Sequence, residues 1–260
     1  MLQIRVAVEL QSLRQPFAQA LHTAARLGVE AVEIDGRNEV AVADLSRTGV
    51  RQVRKMLEDL NLRVAALSFR TRRGYGEVAE LDRRIDATKK ALKLAYELGT
   101  NVVVNHIGRV PADDDVQTLT TLRTALADIG REGQRVGALL AAETGTESGP
   151  VLLKLIESLP PGSLGVDFNP ANLVMHGYDP REAAQALGGH VLHVHATDAT
   201  RDVAAGRGIE VPLGRGSVEF PELLGALEEH QYRGYLTIRR HESVNALEEI
   251  AAAVKYLRAI

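Results

Sequence analysis

The sequence predicts a closed (β/α)8 TIM barrel, and three observations carry that prediction. Short runs rich in β-branched residues alternate with longer amphipathic segments along the whole chain, eight such pairs can be counted, and 260 residues suit one barrel. A doubly wound open sheet is the competing architecture. It fits less well, because Gln11, Ser12 and Leu13 follow the first strand where a glycine-rich phosphate turn would stand. No linker, low-complexity tract or charge block divides the chain, so residues 1–260 read as one domain.

Strands are expected at 4–9, 31–35, 62–68, 101–106, 138–143, 163–168, 191–196 and 235–239. Between them, helices are expected near 15–28, 46–60, 77–98, 114–136, 148–158, 179–187, 219–230 and 243–258. Gly28 and Gly99 follow periodic apolar runs, where a left-handed C-cap is wanted, and Pro180 and Pro221 stand at helix starts. Leu81, Ile85, Leu92, Ala95 and Leu98 recur at helical spacing and mark one buried stripe. The longest irregular stretches, 69–76, 107–115 and 197–218, each follow a strand, which gathers them on the C-terminal face of a barrel, where active sites of this fold lie.

Composition narrows the function. A formal net charge of -3 argues against a nucleic-acid groove, and the absence of cysteine excludes disulfides, thiolate metal sites and thiol nucleophiles. No stretch approaches 18 uninterrupted apolar residues and the first residues carry no signal-peptide core, so a cytoplasmic protein without a membrane partner is expected.

The polar residues ending the predicted strands are His106, Glu143, Asp167, His193 with His195, and Arg239. Carboxylate and imidazole donors together suit a divalent Mn, Mg, Co or Zn ion, which polarises a carbonyl and helps proton removal from the adjacent carbon. Each residue also has a plainer reading. Glu143, closing the apolar run ALLAAE, serves a site or an ion pair; Asp167 serves a site or caps the following turn. His193 and His195 are two apart and share a strand face, so one can be a ligand and the other a packed neighbour. His106 divides between loop packing and substrate contact. The loop with Arg70, Arg72, Arg73 and Tyr75 matches a phosphate or carboxylate, or is ordinary solvated charge.

LAAETG with Glu143, GVDFNPANLVMHG with Asp167, HVHATDATR from His193 to Arg201, and EVPLGRGSVEFPEL from Glu210 resemble the xylose-isomerase-like TIM barrel superfamily, over essentially the whole chain. That superfamily holds sugar-phosphate isomerases and epimerases and AP endonuclease family 2. The resemblance implies a metal held by a Glu, an Asp, a His and a second Glu, with the two glutamates exchanging protons with a ketose. The first three match Glu143, Asp167 and His195, and Arg201 stands where an arginine grips substrate oxygens. Two positions depart from the pattern. LTIRRHES places Arg239 where the second glutamate belongs, and DFNPAN lacks the histidine that often follows the aspartate.

The expectation is therefore an isomerase or epimerase of a small sugar, sugar phosphate or related polyol ketone. Glu143 is its base, Glu143, Asp167 and His195 are its metal ligands, and Arg201, His106, His193, Arg239, Arg72 and Tyr75 contact substrate. The metal is weak or absent if Arg239 faces it, since like charges repel. The alternative is a catalytically lapsed barrel in which Arg239 replaces the metal's charge and the site binds an anionic sugar. A DNA-repair role of the AP endonuclease kind is disfavoured by the thin histidine set and the acidic balance. Homodimers are common among the proteins resembled.

Overall fold

The computed structural model describes residues 4–42, 45–202 and 208–260. Eight parallel strands close into a barrel: β1 (Val6–Glu9), β2 (Ala31–Asp35), β3 (Arg63–Ser68), β4 (Val102–Asn105), β5 (Leu139–Glu143), β6 (Gly165–Phe168), β7 (Val191–Ala196) and, after a small hairpin, β10 (Leu236–Ile238), which pairs with β1. The hairpin consists of β8 (Asp198–Thr200) and β9 (Ile209–Val211), paired antiparallel inside the stretch expected to be an irregular loop. Residues 203–207 of that stretch lie outside the described residues.

The helices are α1 (Phe17–Leu27), α2 (Arg47–Asp59), α3 (Leu81–Leu98), α4 (Val116–Val136), α5 (Gly149–Glu157), α6 (Pro170–Met175), α7 (Pro180–Leu187), α8 (Phe220–Glu229) and α9 (Ala246–Ala259). Gly28 and Gly99 close α1 and α3 with φ of 74° and 90°, the left-handed conformation in which a Cβ is costly. Along α3, Ile85, Leu92, Ala95 and Leu98 are buried, as their spacing demands. Helix α6 was not expected, because six residues starting at Pro170 are too few to show a period. No helix among the described residues is long and apolar enough to cross a membrane.

A large core joins the helices to the strands, while two clusters of small side chains stand apart from it: Ala66 with Val102, Val104 and Ala141, and Ala7 with Ala31 and Ala65. Parallel strands covered all round by helices read as near-continuous apolar runs, so the charged residue ending such a run is the informative one. Register shifts fall between Val32 and Glu33 and between Val166 and Asp167. Such irregularities re-aim the side chain that follows them. In both places that side chain is a buried carboxylate.

Candidate active site

Glu9, Glu33, Glu143 and Asp167 end or nearly end four strands, and all four are buried. Burying a carboxylate costs several kcal/mol unless partners compensate. The partners come from the neighbouring strand ends. Glu143 pairs in register with Asp167, and Asp167 with His193; Thr237 of β10 lies opposite His195.

Glu143 is the most heavily contacted of the four. Its Oε1 lies 2.6 Å from Arg239 Nη1 and accepts from Asn169 Nδ2 at 2.6 Å and Asn172 Nδ2 at 3.0 Å. Its Oε2 lies 3.2 Å from His106 Nε2 and 3.7 Å from Arg70 Nη2, yet has no well-formed hydrogen bond. Burial pushes this carboxyl up, but the charges of Arg239, His106 and Arg70 prevail and hold it well below the usual carboxylate range. Arg239 is correspondingly held charged despite its burial, by Glu143, Glu9 and Asp167.

On the next strands, His195 Nδ1 lies 2.8 Å from Asp167 Oδ2, and His195 Nε2 lies 2.9 Å from Glu33 Oε2. His193 Nε2 shares that same Glu33 oxygen at 3.1 Å. Burial alone would push the His195 imidazole down; Asp167 and Glu33 outweigh it and raise it to about 10. Glu33 is held well below the carboxylate range against its own burial, chiefly by His195 and His193. The contact between His195 Nδ1 and Asp167 is close but lacks hydrogen-bond alignment, so both oxygens of Asp167 and His195 Nδ1 remain without a directed partner.

Those unsatisfied atoms test the fit of a metal. One ligand atom each from Glu143, Asp167 and His195 lies within 4.8 Å of the others, and Glu143 Oε2, Asp167 Oδ1 and Oδ2, and His195 Nδ1 are buried without hydrogen bonds. Two carboxylates and an imidazole are a donor set for a harder divalent ion. Four buried carboxylates facing two guanidiniums, Arg70 and Arg239, also leave negative charge that protons or a cation must balance. With an ion on His195 Nδ1, Glu33 would be the outer carboxylate that keeps the remaining ring proton on Nε2. The donor set fits, with one reservation built into the site: Arg239 holds one of the two Glu143 oxygens.

Other expected residues are placed as follows. His106 is at the cluster, with its side chain 45% exposed. His193 is buried, with its Nε2 held by Glu33. The expected substrate contact of Tyr75 is corrected. It has no exposed surface, and its hydroxyl is shared between Thr88 and Asn105, so it belongs to the core. Gly74 brings this loop against Gly108, where a Cβ would meet backbone at 2.3 Å. Arg72 is exposed. Arg201 is exposed too, its Nη2 3.4 Å from the carbonyls of Gly177 and Tyr178. The cap of the turn after Asp167 is Asn169, whose side chain accepts from Asn172 N–H. That frees Asp167 from the capping role.

Sequence reasoning missed Glu9, Glu33, Asn169 and Asn172. Glu9 carried the signal that revealed Glu143, a carboxylate ending an apolar strand, in VAVE. Glu33 lies inside AVEID rather than at its end, so that signal does not reach it.

Comparison with known proteins agrees with this architecture. The description "Xylose isomerase-like TIM barrel" is that of the family whose model matches residues 21–260. A xylose isomerase domain protein from Planctomyces limnophilus superposes with a TM-score of 0.86 at 25% identity, covering 98% of this chain and 96% of its own. A D-tagatose 3-epimerase-like protein superposes with a TM-score of 0.78 at 20% identity, covering 98% of both chains, which speaks to the fold alone. Uncharacterized protein MJ1311 of Methanocaldococcus jannaschii is 24% identical over 189 residues; the match spans 68% of this chain and 63% of that relative's length. With that family model matched from α1 to the last residue, and the barrel closed as the family description requires, the chain belongs to the xylose isomerase-like TIM barrel family.

Proposed function

We propose that this protein is an isomerase or epimerase of a small sugar, sugar phosphate or related polyol ketone, moving a proton at the carbon beside the carbonyl. The observation that carries this reading is the convergence of Glu143, Asp167 and His195 at the strand ends with their facing atoms unsatisfied. A divalent ion held by these three would polarise the substrate carbonyl and its neighbouring hydroxyl.

The chain's own residues supply the rest. Asn169, Asn172 and Arg239 fix Glu143 through Oε1, leaving Oε2, next to His106, as the atom that takes the proton. His106 and Arg70 stand where an oxygen gaining negative charge can be stabilised. Arg201 and Arg72 are exposed cations of loops that follow strands, suited to a phosphate or hydroxyl group.

A second reading is favoured by one observation, the 2.6 Å ion pair between Arg239 and Glu143. In that reading the guanidinium takes the place of the metal's charge, and the barrel binds an anionic sugar without turnover. One experiment separates the two: D-tagatose, D-fructose and their 6-phosphates are incubated with the protein in D2O, with and without Mn²⁺, and followed by proton NMR. Loss of the proton beside the carbonyl, with a new isomer or epimer, supports the enzyme. Saturable binding of the phosphates with every proton retained supports the lapsed barrel.

A further inference from the structure

An epimerase must remove a proton from one face of a carbon and deliver one to the other. With arginine at position 239, the last barrel strand offers no second carboxylate. The residues around it offer another group. Beyond Ile238, Arg239 reaches Glu143, Arg240 turns to Glu249 and Glu210, and His241 returns to the mouth, its Nε2 2.6 Å from Glu9 Oε2.

This pairing is held from several sides. Ser12 Oγ donates to Glu9 Oε2 at 2.5 Å and accepts from Arg240 N–H at 2.9 Å, tying β1 to the segment after β10. The His241 backbone donates to Glu210 Oε2, and its carbonyl accepts from Arg14 Nη2. Glu9 is buried, whereas the His241 side chain is 33% exposed. A buried carboxylate orienting a partly exposed imidazole is the arrangement by which enzymes aim a histidine base. With Nε2 engaged on Glu9, Nδ1 is left to exchange a proton with a ligand.

The pair also shares a neighbour with Glu143. One nitrogen of Arg70, Nη2, is buried without a hydrogen bond and lies 3.8 Å from Glu9 Oε1 and 3.7 Å from Glu143 Oε2. The two carboxylates thus flank a single guanidinium. We propose that His241, oriented by Glu9, is the second proton carrier of this site, opposite Glu143. The inference rests on the isomerase or epimerase reading above.

The step balances as follows. Glu143 Oε2 takes the proton from the carbon beside the carbonyl, and the C–H electron pair forms the C=C bond of an enediolate as the carbonyl π pair moves onto oxygen. The enediolate then collapses, its C=C pair takes the Nδ1 proton of the His241 imidazolium on the other face, and the carbonyl re-forms. Glu143 is left protonated and His241 neutral, and exchange with water restores both. The charged groups around His241 are Glu9 and Arg14 from the β1 side, Glu210 from β9, and Arg239, Arg240 and Glu242 on its own segment.

The test uses the full chain and the same four ketoses in D2O, reading deuterium incorporation at C3 and C3-epimer formation separately. For His241→Gln with a melting temperature near the wild type's, epimer formation falls by about 100-fold or more while C3 exchange driven by Glu143 stays within about threefold. Glu9→Gln keeps the imidazole but loosens its orientation, and gives a smaller loss with the same split. A loss merely due to altered structure would lower exchange and epimerisation together. Equal loss of both, or epimer formation retained in His241→Gln, overturns the assignment while leaving the isomerase reading intact. Absence of both exchange and epimer formation in the wild type with all four ketoses overturns the isomerase reading, and this assignment with it.

Discussion

The two ends of the barrel differ in a way that locates the chemistry. At the N-terminal end of the strands lies a cleft of about 600 Å³, lined in part by Arg54, Glu58, Arg63, Gly188, His230 and Arg233. Apart from half-buried Arg5 its charged residues are exposed, and among the described residues none of its lining side chains has a buried polar atom lacking a hydrogen bond. At the C-terminal end, Glu33, Arg70, Glu143, Asp167, His195 and Thr237 all carry such atoms among the described residues. Solvated charge around a groove costs the fold little. Buried, incompletely satisfied charge costs a great deal and persists where function requires it. Electrostatic strain, more than room, marks the site.

The largest test of that contrast is truncation at each end. Glu143→Ala leaves the Arg239 guanidinium, whose side chain is 10% exposed, without its closest partner. Removing one member of a buried ion pair costs about 3–5 kcal/mol, which lowers the melting temperature by on the order of 10 °C in a chain of this size. Arg54→Ala in the opposite cleft should stay within about 0.5 kcal/mol of the wild type. Calorimetry on both variants checks the pair, and similar losses at the two ends would erase the distinction.

A smaller effect is expected at Glu33. Its Oε2 receives both His193 and His195, so Glu33→Gln, which keeps an oxygen there but loses the charge and buries an amide donor in place of the unpartnered Oε1, should cost about 1–3 kcal/mol. Nitrogen NMR of the histidine rings should show the His195 imidazolium losing its proton at lower pH in this variant, since Glu33 helps raise it. Unchanged ring signals would mean that Glu33 does not set them.

The smallest effect concerns Glu39, at the edge of the mouth. Burial, aided by the charges of Asp35, Glu9 and Glu33, raises its carboxyl to about 7 despite the hydrogen bond from Asp35 N–H. The folded value lies above the unfolded one, so this group's contribution to stability is complete below about pH 4.5 and is lost as the pH rises through about 7. Glu39→Gln should match the wild type near pH 4 and exceed it by about 1 kcal/mol at pH 8, a figure discounted for partial exposure. Denaturant titrations at the two pH values decide, and a difference independent of pH would exclude burial as the cause.

Much of this was legible in the residues. The barrel followed from the βα alternation, and Glu143 and Asp167 from carboxylates closing apolar runs, because parallel strands inside a ring of helices have few other uses for charge. What stayed hidden depended on contacts between distant segments. Tyr75 resembled a ligand-binding side chain until Thr88 and Asn105 were seen to satisfy its hydroxyl. His193 and His195 both reach Glu33, about 160 positions away, and only the contact of His195 Nδ1 with Asp167 separates their surroundings. The β8–β9 hairpin was unreadable for a different reason: its three-residue strands are too short to show a period.

The central claim is that Glu143, Asp167 and His195 form a three-donor metal site weakened by Arg239, and titration calorimetry with Mn²⁺ tests it most directly. A guanidinium about 4 Å from a dication raises the cost of binding by several kcal/mol at an effective dielectric near 20, and each 1.4 kcal/mol is tenfold in affinity. The wild type should therefore bind Mn²⁺ weakly or not detectably. Arg239→Met, which removes the charge, should bind more tightly, and Arg239→Glu, which also adds an oxygen ligand, should bind tightest, by about 100-fold or more over the wild type. Tight stoichiometric Mn²⁺ in the wild type, unimproved by either substitution, would contradict the account.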